Sequence, residues 1–317
     1  MLTRRNLFKT AGLASAAALL PQAAFSKSAQ KDSTFRFSLN TSTISGQNPG
    51  LLKYIDIASE AGYDGIELWI KDVKQYLESG NSTQSLKKYI SDHGLKVENA
   101  IGFAPWLTGK QGFIQMKSEM EMMVQIGCTR IAAPAAGIPY DQPFDLTEAG
   151  YKYKELIELG RQTGVMPILE FWGGSKGLYH MGQAMMVAAI ANDPDVKILA
   201  DVYHLFRGNS GYDSLKMLKG NVIEVFHMND FVATIPREQQ KDSDRVYPGD
   251  GAAPMKQILT DLKNMGGSKV LSLELFNETY WKQDPLLVAR TGLKKMKELV
   301  SEIENNLEKS VFDPSSK

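Results

Sequence analysis

The segment Lys197–His204 (KILADVYH) combines a short apolar strand, a closing carboxylate and a histidine one helical turn later. Three other segments share its design, each a mostly aliphatic run that closes on an acid or a histidine: Val165–Glu170 (VMPILE), Val222–His227 (VIEVFH) and Val270–Glu274 (VLSLE). One such carboxylate is usually a helix cap or a salt-bridge partner. Four segments in succession are typical of a parallel barrel, because its strand ends meet at one mouth. We therefore expect the four closing side chains to share a centre: Glu170, Asp201, His227 and Glu274.

The same alternation of strand and helix runs along most of the chain. Eight strands are predicted, at Phe35–Leu39, Asp64–Trp69, Lys96–Ile101, Arg130–Ala133, Val165–Glu170, Lys197–Asp201, Val222–His227 and Lys269–Glu274. The pattern predicts a single α/β domain over residues 31–317, most simply a closed (β/α)8 TIM barrel. A doubly wound open sheet is the alternative. The first β–α turn, Asn40–Gly50, lacks the G-x-G-x-x-G phosphate loop that such a sheet often carries.

Composition narrows the function classes. The 317 residues are 43% hydrophobic and 23% charged, as in an ordinary globular protein. The formal net charge is zero, and no basic tract follows the N-terminal region, so nucleic acid is not an expected partner. A single cysteine, Cys128, excludes an intrachain disulfide and a thiolate metal cluster.

The first thirty residues carry a different signal. Thr3–Lys9 (TRRNLFK) resembles the twin-arginine export motif, and the Ala/Leu-rich run Ala11–Ala24 that follows is too short to span a bilayer comfortably. We therefore predict an export signal and linker over residues 1–30, use of the twin-arginine export machinery, and a periplasmic or otherwise exported bacterial protein. An uncleaved membrane anchor is the alternative.

All four tryptophans follow predicted strands, at Trp69, Trp106, Trp172 and Trp281. Flat aromatic faces at a polar mouth suit the C–H faces of sugars. The alternative is that these large side chains simply cap the barrel core.

The predicted mouth is rich in acids. Its polar set is Glu67, Glu170, Asp201, His204, His227, Asp230 and Glu274. Packing like charges this closely is costly without a cation, and a divalent metal supplies one. Three carboxylates and one imidazole favour a hard, octahedral ion, with Mn2+ preferred, over a tetrahedral thiolate-type zinc. Mg2+, Co2+ and carboxylate-bound Zn2+ stay open.

At these residues the chain resembles the sugar phosphate isomerase/epimerase superfamily of xylose isomerase-like TIM barrels. This group includes hydroxypyruvate isomerase, ketose 3-epimerases, inosose dehydratase and endonuclease IV. The resemblance runs from about Phe35 to Val300 and rests on Gly65–Leu68 (GIEL), Leu169-Glu170, Asp201–His204 (DVYH), Phe226–Asp230 (FHMND), Arg245, Pro248–Gly251 (PGDG) and Leu273-Glu274. With only four histidines, the chain does not readily supply the histidine-rich site of the endonuclease branch.

The resemblance implies roles for individual residues. It implies one divalent metal ion held by Glu170, Asp201, His227 and Glu274, with His204 and Arg245 contacting substrate. Glu67, Trp69, Trp106 and Trp172 complete the expected substrate contacts. For catalysis we expect Glu170 and Glu274 to remove and return a proton while His204 steadies the oxyanion.

Four functions are open at this point. The favoured one is a metal-dependent isomerase or epimerase that acts through an enediolate on a ketose or keto-sugar. A lyase or hydrolase of 3-keto-glycosides would use the same metal site. A retaining glycosidase would use Glu170 and Glu274 without metal. A non-catalytic sugar-binding barrel would need neither a metal nor catalytic roles for these two residues. The expected partner is a small sugar or glycoside, and a homo-oligomer is left open.

Overall fold

A computed structural model of the protein describes residues 34–139 and 141–312. Eight parallel strands form one closed barrel in sequence order, and the last strand pairs with the first. The strands are β1 Phe35–Asn40, β2 Gly65–Trp69, β3 Lys96–Ile101, β4 Arg130–Ala133, β5 Met166–Glu170, β6 Ile198–Asp201, β7 Val225–Met228 and β8 Lys269–Leu273. The predicted single-domain TIM barrel is thereby confirmed. The predicted export signal lies outside the described residues.

Helices cover the outside of the barrel. They are α1 Leu51–Ala61, α2 Ile70–Glu78, α3 Thr83–Asp92, α4 Lys110–Gln125, α5 Leu146–Thr163, α6 Met181–Ala191, α7 Val202–Arg207, α8 Met255–Met265 and α9 Pro285–Phe312. Two of these, α2 and α7, begin directly after a strand. Within the described residues no helix combines the length and apolar character needed to cross a membrane.

The barrel interior is packed with side chains. Its central layer consists of one apolar residue from each of six strands: Ile101, Ala132, Ile168, Leu199, Val225 and Val270. A second, larger cluster fills the space between strands and helices. Because the interior is closed by apolar side chains, polar chemistry is confined to the two ends of the barrel.

An ion-pair network lies at the amino-terminal ends of the strands. Glu98 on β3 pairs with Arg36 on β1 (Nη2–Oε2 3.0 Å) and with Arg130 on β4 (Nη1–Oε2 3.5 Å). Arg130 and Lys197 both pair with Glu224, which precedes β7. This network ties five strands of the barrel, or the residues just before them, together at the end opposite the predicted mouth.

We expect Glu98→Gln to lower the free energy of unfolding by about 2 kcal/mol, because Glu98 is buried and serves two guanidinium groups. Urea denaturation measures the change. The function of the opposite end should be unaffected. A denaturation midpoint equal to that of the wild type would show that the network contributes nothing to stability.

Candidate active site

The carboxyl ends of the strands bring the predicted polar residues together. Glu67 lies on β2, Glu170 and Asp201 are the last residues of β5 and β6, His227 lies on β7, and Glu274 directly follows β8. All five side chains are buried. The barrel topology therefore assembles a centre from residues that are as much as 207 positions apart in sequence (274 − 67).

A cavity of about 310 Å3 opens at this mouth. Its polar lining consists of Glu170, His204, Asp242, Arg245 and Glu274. Its apolar lining is Trp69, Ile101, Phe103, Trp172 and Phe276. Phe103 stands between the two tryptophans, with ring centroids 5.5 Å from Trp69 and 5.9 Å from Trp172. The cavity therefore has an aromatic wall facing a charged floor.

His227 is the centre of the charged group. Its Nε2 lies 3.0 Å from Glu67 Oε2, and its Nδ1 lies 3.1 Å from Glu274 Oε2 and 3.8 Å from Asp201 Oδ2. Burial alone lowers the pKa of His227, but the carboxylates of Glu274 and Glu67 outweigh it and raise that pKa well above its usual value. In the absence of a metal, the imidazolium supplies part of the positive charge that the acids require.

Asp201, His227 and Glu274 also fit a divalent metal ion. One ligand atom from each lies within 4.8 Å of the others. Metal–ligand bonds of about 2.1 Å place neighbouring ligand atoms about 3 to 4 Å apart, which matches the separations around His227 Nδ1. That atom is buried and makes no hydrogen bond of acceptable geometry with any described residue. An imidazole nitrogen that makes no such hydrogen bond and lies 3.1 and 3.8 Å from two carboxylate oxygens is a ligand arrangement.

Glu170 faces the same cavity from β5. Burial raises the pKa of its carboxyl group to about 8; the positive charge of His227 opposes this shift, while the negative charges of Glu274 and Asp201 reinforce it. Without metal, Glu170 therefore holds a proton at neutral pH. Such a perturbed carboxyl group in a cavity is typical of a catalytic acid or base.

Arg245 supplies a fixed positive charge to the floor. It comes from the long segment between β7 and α8, and its Nη1 donates to Asp201 Oδ2 (2.9 Å) and Glu274 Oε2 (2.8 Å). Burial raises the pKa of Asp201, but Arg245 and the neighbouring imidazoles outweigh burial and hold it well below its usual value. Asp201 is therefore ionised at any pH near neutral.

His204, on the short helix α7, lines the cavity beside Arg245. Its Nδ1 accepts a hydrogen bond from the Gly173 backbone N–H (3.3 Å), and its Nε2 lies 3.3 Å from Arg245 Nη2. Burial lowers the pKa of His204; the Asp201 carboxylate opposes the shift, and the Arg245 charge adds to it. The ring is therefore neutral at pH 7, and both of its nitrogens face donors, because the Arg245 guanidinium can only donate.

A layer of amides and a hydroxyl holds the carboxylates in place. Asn40 donates to Glu67 (3.2 Å) and Glu274 (3.0 Å), while Asn99 and Ser272 donate to Glu67. Asn229 donates to Asp201 (2.9 Å). Nothing in the sequence marks these four residues as contacts of the acids. Asn40 and Asn229 come just after predicted strands, whereas Asn99 and Ser272 lie inside them, so the four share no position that would identify them.

Glu67 lies beneath the cavity and does not line it. Burial raises its pKa, but His227, Ser272 and Asn99 together outweigh burial and lower it. Its two carboxylate oxygens accept hydrogen bonds from Asn40, Asn99 and Ser272 and form an ion pair with His227. The structure therefore gives Glu67 the position of a support for His227, whereas the sequence predicted a substrate contact.

The predicted tryptophans divide into two groups. Trp69 and Trp172 line the cavity, and Trp69 is fixed by a hydrogen bond from Nε1 to Asn40 Oδ1 (2.9 Å). Trp106 is fully buried away from it, where its Nε1 donates to the Pro134 carbonyl (2.7 Å), so the structure does not bring this predicted substrate contact to the site. Trp281 donates to the Ser42 carbonyl and is likewise outside the cavity lining. For Trp106, which belongs to the buried core, the core-capping alternative describes the observed placement, whereas Trp281 is half-buried outside both the cavity and the core.

We expect divalent-metal affinity to increase as pH is raised from about 6 to about 8. In the metal-free centre both Glu170, whose pKa is about 8, and His227, whose pKa is raised, hold a proton that a metal must displace. Each displaced proton changes the affinity by as much as about tenfold per pH unit. Calorimetric titration with Mn2+ at three pH values measures this slope. An affinity that does not change with pH would mean that neither side chain is a ligand.

Known proteins share this architecture. Residues 55–299 match the family described as xylose isomerase-like TIM barrel. An inosose isomerase of Bacillus velezensis is 27% identical over 262 residues, which cover 80% of this chain and 91% of the relative. A 3-dehydroshikimate dehydratase of Pseudomonas putida is 21% identical over 271 residues, which cover 82% of this chain but 41% of the relative. A crystal structure of the IOLI protein with a bound zinc atom has a TM-score of 0.77 and 25% identity, and the match covers 84% of this chain and 99% of that one.

Proposed function

Because the chain belongs to the xylose isomerase-like TIM barrel family, we propose that it is a divalent-metal-dependent isomerase or epimerase of a cyclic or open-chain keto-sugar. The expectation that the chain is an enzyme is confirmed by its relatives, which include inosose isomerases. One observation carries the proposal: the ligand atoms of Asp201, His227 and Glu274 converge within 4.8 Å, beside a cavity that also holds Glu170.

The metal ligands in this proposal are Glu170, Asp201, His227 and Glu274. When bound, a divalent ion supplies Lewis-acid polarisation of a carbonyl oxygen. Oxygen and nitrogen ligands without sulfur favour Mn2+, Mg2+ or Co2+, and Mn2+ is our preferred ion. The zinc atom in the similar IOLI structure keeps Zn2+ as an alternative.

Two carboxylates would carry the proton transfer. Glu170 on β5 and Glu274 after β8 approach the cavity from strands separated by β6 and β7, and therefore from different sides. One removes the proton from the hydroxyl-bearing carbon next to the carbonyl. The other returns a proton to the opposite face of that carbon, which gives epimerisation, or to the former carbonyl carbon while the hydroxyl proton passes to the former carbonyl oxygen, which gives isomerisation. Glu274 is held for this role by Asn40 and Arg245.

Neutral His204 and cationic Arg245 would bind the substrate oxygens. Both line the cavity, and their side chains lie side by side. The guanidinium donates to developing negative charge on a substrate oxygen, and the N–H of a neutral imidazole stabilises such charge as well. Trp69, Phe103 and Trp172 would cover the C–H face of the sugar and exclude water.

Elimination at the same centre is the second candidate. It is favoured by the relation to 3-dehydroshikimate dehydratases and by the aromatic wall, which suits the leaving group of a 3-keto-glycoside. Removal of the same proton would then expel a group from the adjacent carbon. We further propose that the protein acts after export, since Thr3–Lys9 resembles a twin-arginine motif.

The products distinguish these reactions. The metal-loaded protein is incubated in D2O with an inosose and, separately, with a 3-keto-glycoside, and the mixtures are followed by NMR. Isomerisation predicts an isomer of the substrate whose mass rises only by the deuterium that it takes up from solvent. Elimination predicts release of water or of the aglycone. Absence of both deuterium uptake and product with Mn2+, Mg2+, Co2+ and Zn2+ would contradict both functions.

A further inference from the structure

The segment between β7 and α8 carries Arg245, which lines the cavity. It also carries the sequence Pro248-Gly249-Asp250-Gly251, which has no role in the proposed mechanism. Asp230 stands at its beginning and is fully buried. Asp230 is not among the described residues that line the cavity. A buried carboxylate is costly unless its oxygens are satisfied, so its partners indicate what it does.

The carboxylate of Asp230 accepts hydrogen bonds from four backbone N–H groups. Oδ1 accepts from Phe231 (2.8 Å) and Ala253 (2.9 Å), and Oδ2 accepts from Gly249 (3.0 Å) and Gly251 (3.1 Å). One side chain thus fastens the end of the segment to its beginning.

The backbone of Asp230 is paired as well. Its N–H donates to the Val246 carbonyl (2.9 Å), and the Val246 N–H donates to the Asp230 carbonyl (3.0 Å). Val246 directly follows Arg245. The Arg245 carbonyl also accepts a hydrogen bond from Asn277 (2.9 Å). Asp230 therefore controls the path of the backbone on both sides of the residue that reaches into the site.

The two glycines of the motif are required by this arrangement. Gly249 has a φ of +87°, which favours glycine. A Cβ at Gly251 would lie 2.3 Å from Asp230 Oδ1 and 2.3 Å from the Phe231 carbonyl oxygen. The segment is pressed against the carboxylate so closely that a side chain does not fit at this position.

We propose that Asp230 is a positioning residue that acts through Arg245. By gathering four N–H groups of the segment, it holds the Arg245 guanidinium against Asp201 and Glu274 at the cavity floor. The consequence for turnover rests on the proposed function, in which Arg245 contacts substrate. The positioning itself does not depend on that function.

The first test observes Arg245 directly. The Arg245 Nε–H donates to Asp242 Oδ1 (3.1 Å), so its NMR signal reports the placement of the guanidinium. The signal is assigned by its loss in Arg245→Met. We expect it to shift or broaden in Asp230→Asn and, more weakly, in Gly249→Ala, which disturbs one of the four contacts. Asp193→Asn is the matched control, because Asp193 also accepts a backbone N–H, from Asp195, but lies between α6 and β6 at the other end of the barrel.

The outcomes are distinct. A signal at its wild-type position in both Asp230→Asn and Gly249→Ala would overturn the proposal. If Asp230→Asn does not fold, the milder Gly249→Ala variant decides. A shift of the same size in Asp193→Asn would show a general loss of structure and would also overturn it.

The second test is a double-mutant cycle on turnover of an inosose. A displacement of about 1 Å at a substrate-binding group reduces the rate about 100-fold, so we expect a loss of that order in kcat/KM for Asp230→Asn. The double variant with Arg245→Met should be no slower than Arg245→Met alone. Losses that multiply would overturn action through Arg245. A wild type without turnover would contradict the proposed function, while the NMR test would still decide the role of Asp230.

Discussion

Glu170→Gln is expected to lower kcat for keto-sugar isomerisation by about 10²- to 10⁴-fold, the usual contribution of a general acid or base. The amide retains the size of the side chain but neither accepts nor returns a proton. In the metal-free centre burial raises the pKa of Glu170 to about 8, and a bound divalent ion would lower it so that the carboxylate is ionised. Rates of deuterium incorporation from D2O into an inosose measure the loss without requiring product separation.

The matched control for this variant is Glu98→Gln. Glu98 is also a buried strand glutamate, but its ion pairs lie at the amino-terminal ends of the strands. We expect Glu98→Gln to lose stability and keep its kcat. We expect Glu170→Gln to lose kcat and keep its stability. Equal kcat values for Glu170→Gln and the wild type would remove Glu170 from the proton transfer.

His227→Ala is expected to weaken divalent-metal binding by about 100-fold or more, because the binding free energy of a metal is shared among few ligands. In the metal-free protein the same substitution removes the positive charge between Glu67 and Glu274, whose oxygens lie 3.0 and 3.1 Å from the ring. Stability without metal should therefore fall as well. Calorimetric titration with Mn2+ and a thermal melt of the metal-free protein measure the two effects.

Two other histidines serve as controls. His180 caps α6 by accepting a hydrogen bond from the Gly182 N–H (2.9 Å), and His93 ends α3 and pairs with Asp56. Replacing His180 with alanine should cost about 1 kcal/mol of stability, as loss of a cap does, and neither substitution should change metal affinity. Unchanged metal binding in His227→Ala would exclude His227 as a ligand.

The fold was predictable from the sequence because the strands are short apolar runs, several of which end in an acid or a histidine. The predicted bounds of β3 and β4 coincide with those observed, and strands that end in acids place their side chains at one mouth by topology alone. The predicted β7 began at Val222, whereas the observed strand begins at Val225. Val222 and Ile223 belong to the apolar pattern, but Glu224 forms ion pairs with Arg130 and Lys197.

Two helices were missed for a physical reason. No loop separates α2 from β2 or α7 from β6. No turn residue therefore marks the point where the side-chain period changes from two residues in the strand to 3.6 in the helix. For α7 the start is set by Asp201, whose carboxylate accepts a hydrogen bond from the His204 N–H (2.9 Å). The family resemblance implies that Asp201 binds the metal, and the structure shows that it also caps this helix. The sequence also predicts a short helix at Tyr212–Lys219, where the structure has a shorter 3-10 helix, Asp213–Met217.

The support layer of the site was beyond prediction from sequence. Asn40 joins Glu67, Glu274 and Trp69 through three hydrogen bonds, and these partners lie as much as 234 residues away. Nothing local in the sequence distinguishes such an asparagine from one in a turn. Side-chain direction is equally hidden, which is why Trp106 and Trp172 looked alike in sequence although only Trp172 faces the cavity.

The most direct test of the metal-centred account is the metal content of the protein purified without chelator, measured by elemental analysis before and after incubation with Mn2+. The account predicts about one equivalent of a divalent ion in the wild type, and its loss in His227→Ala. A wild-type protein that holds no ion even after incubation with Mn2+, Co2+ or Zn2+ would contradict it. Asp201, His227 and Glu274 would then be an ion-pair cluster neutralised by Arg245.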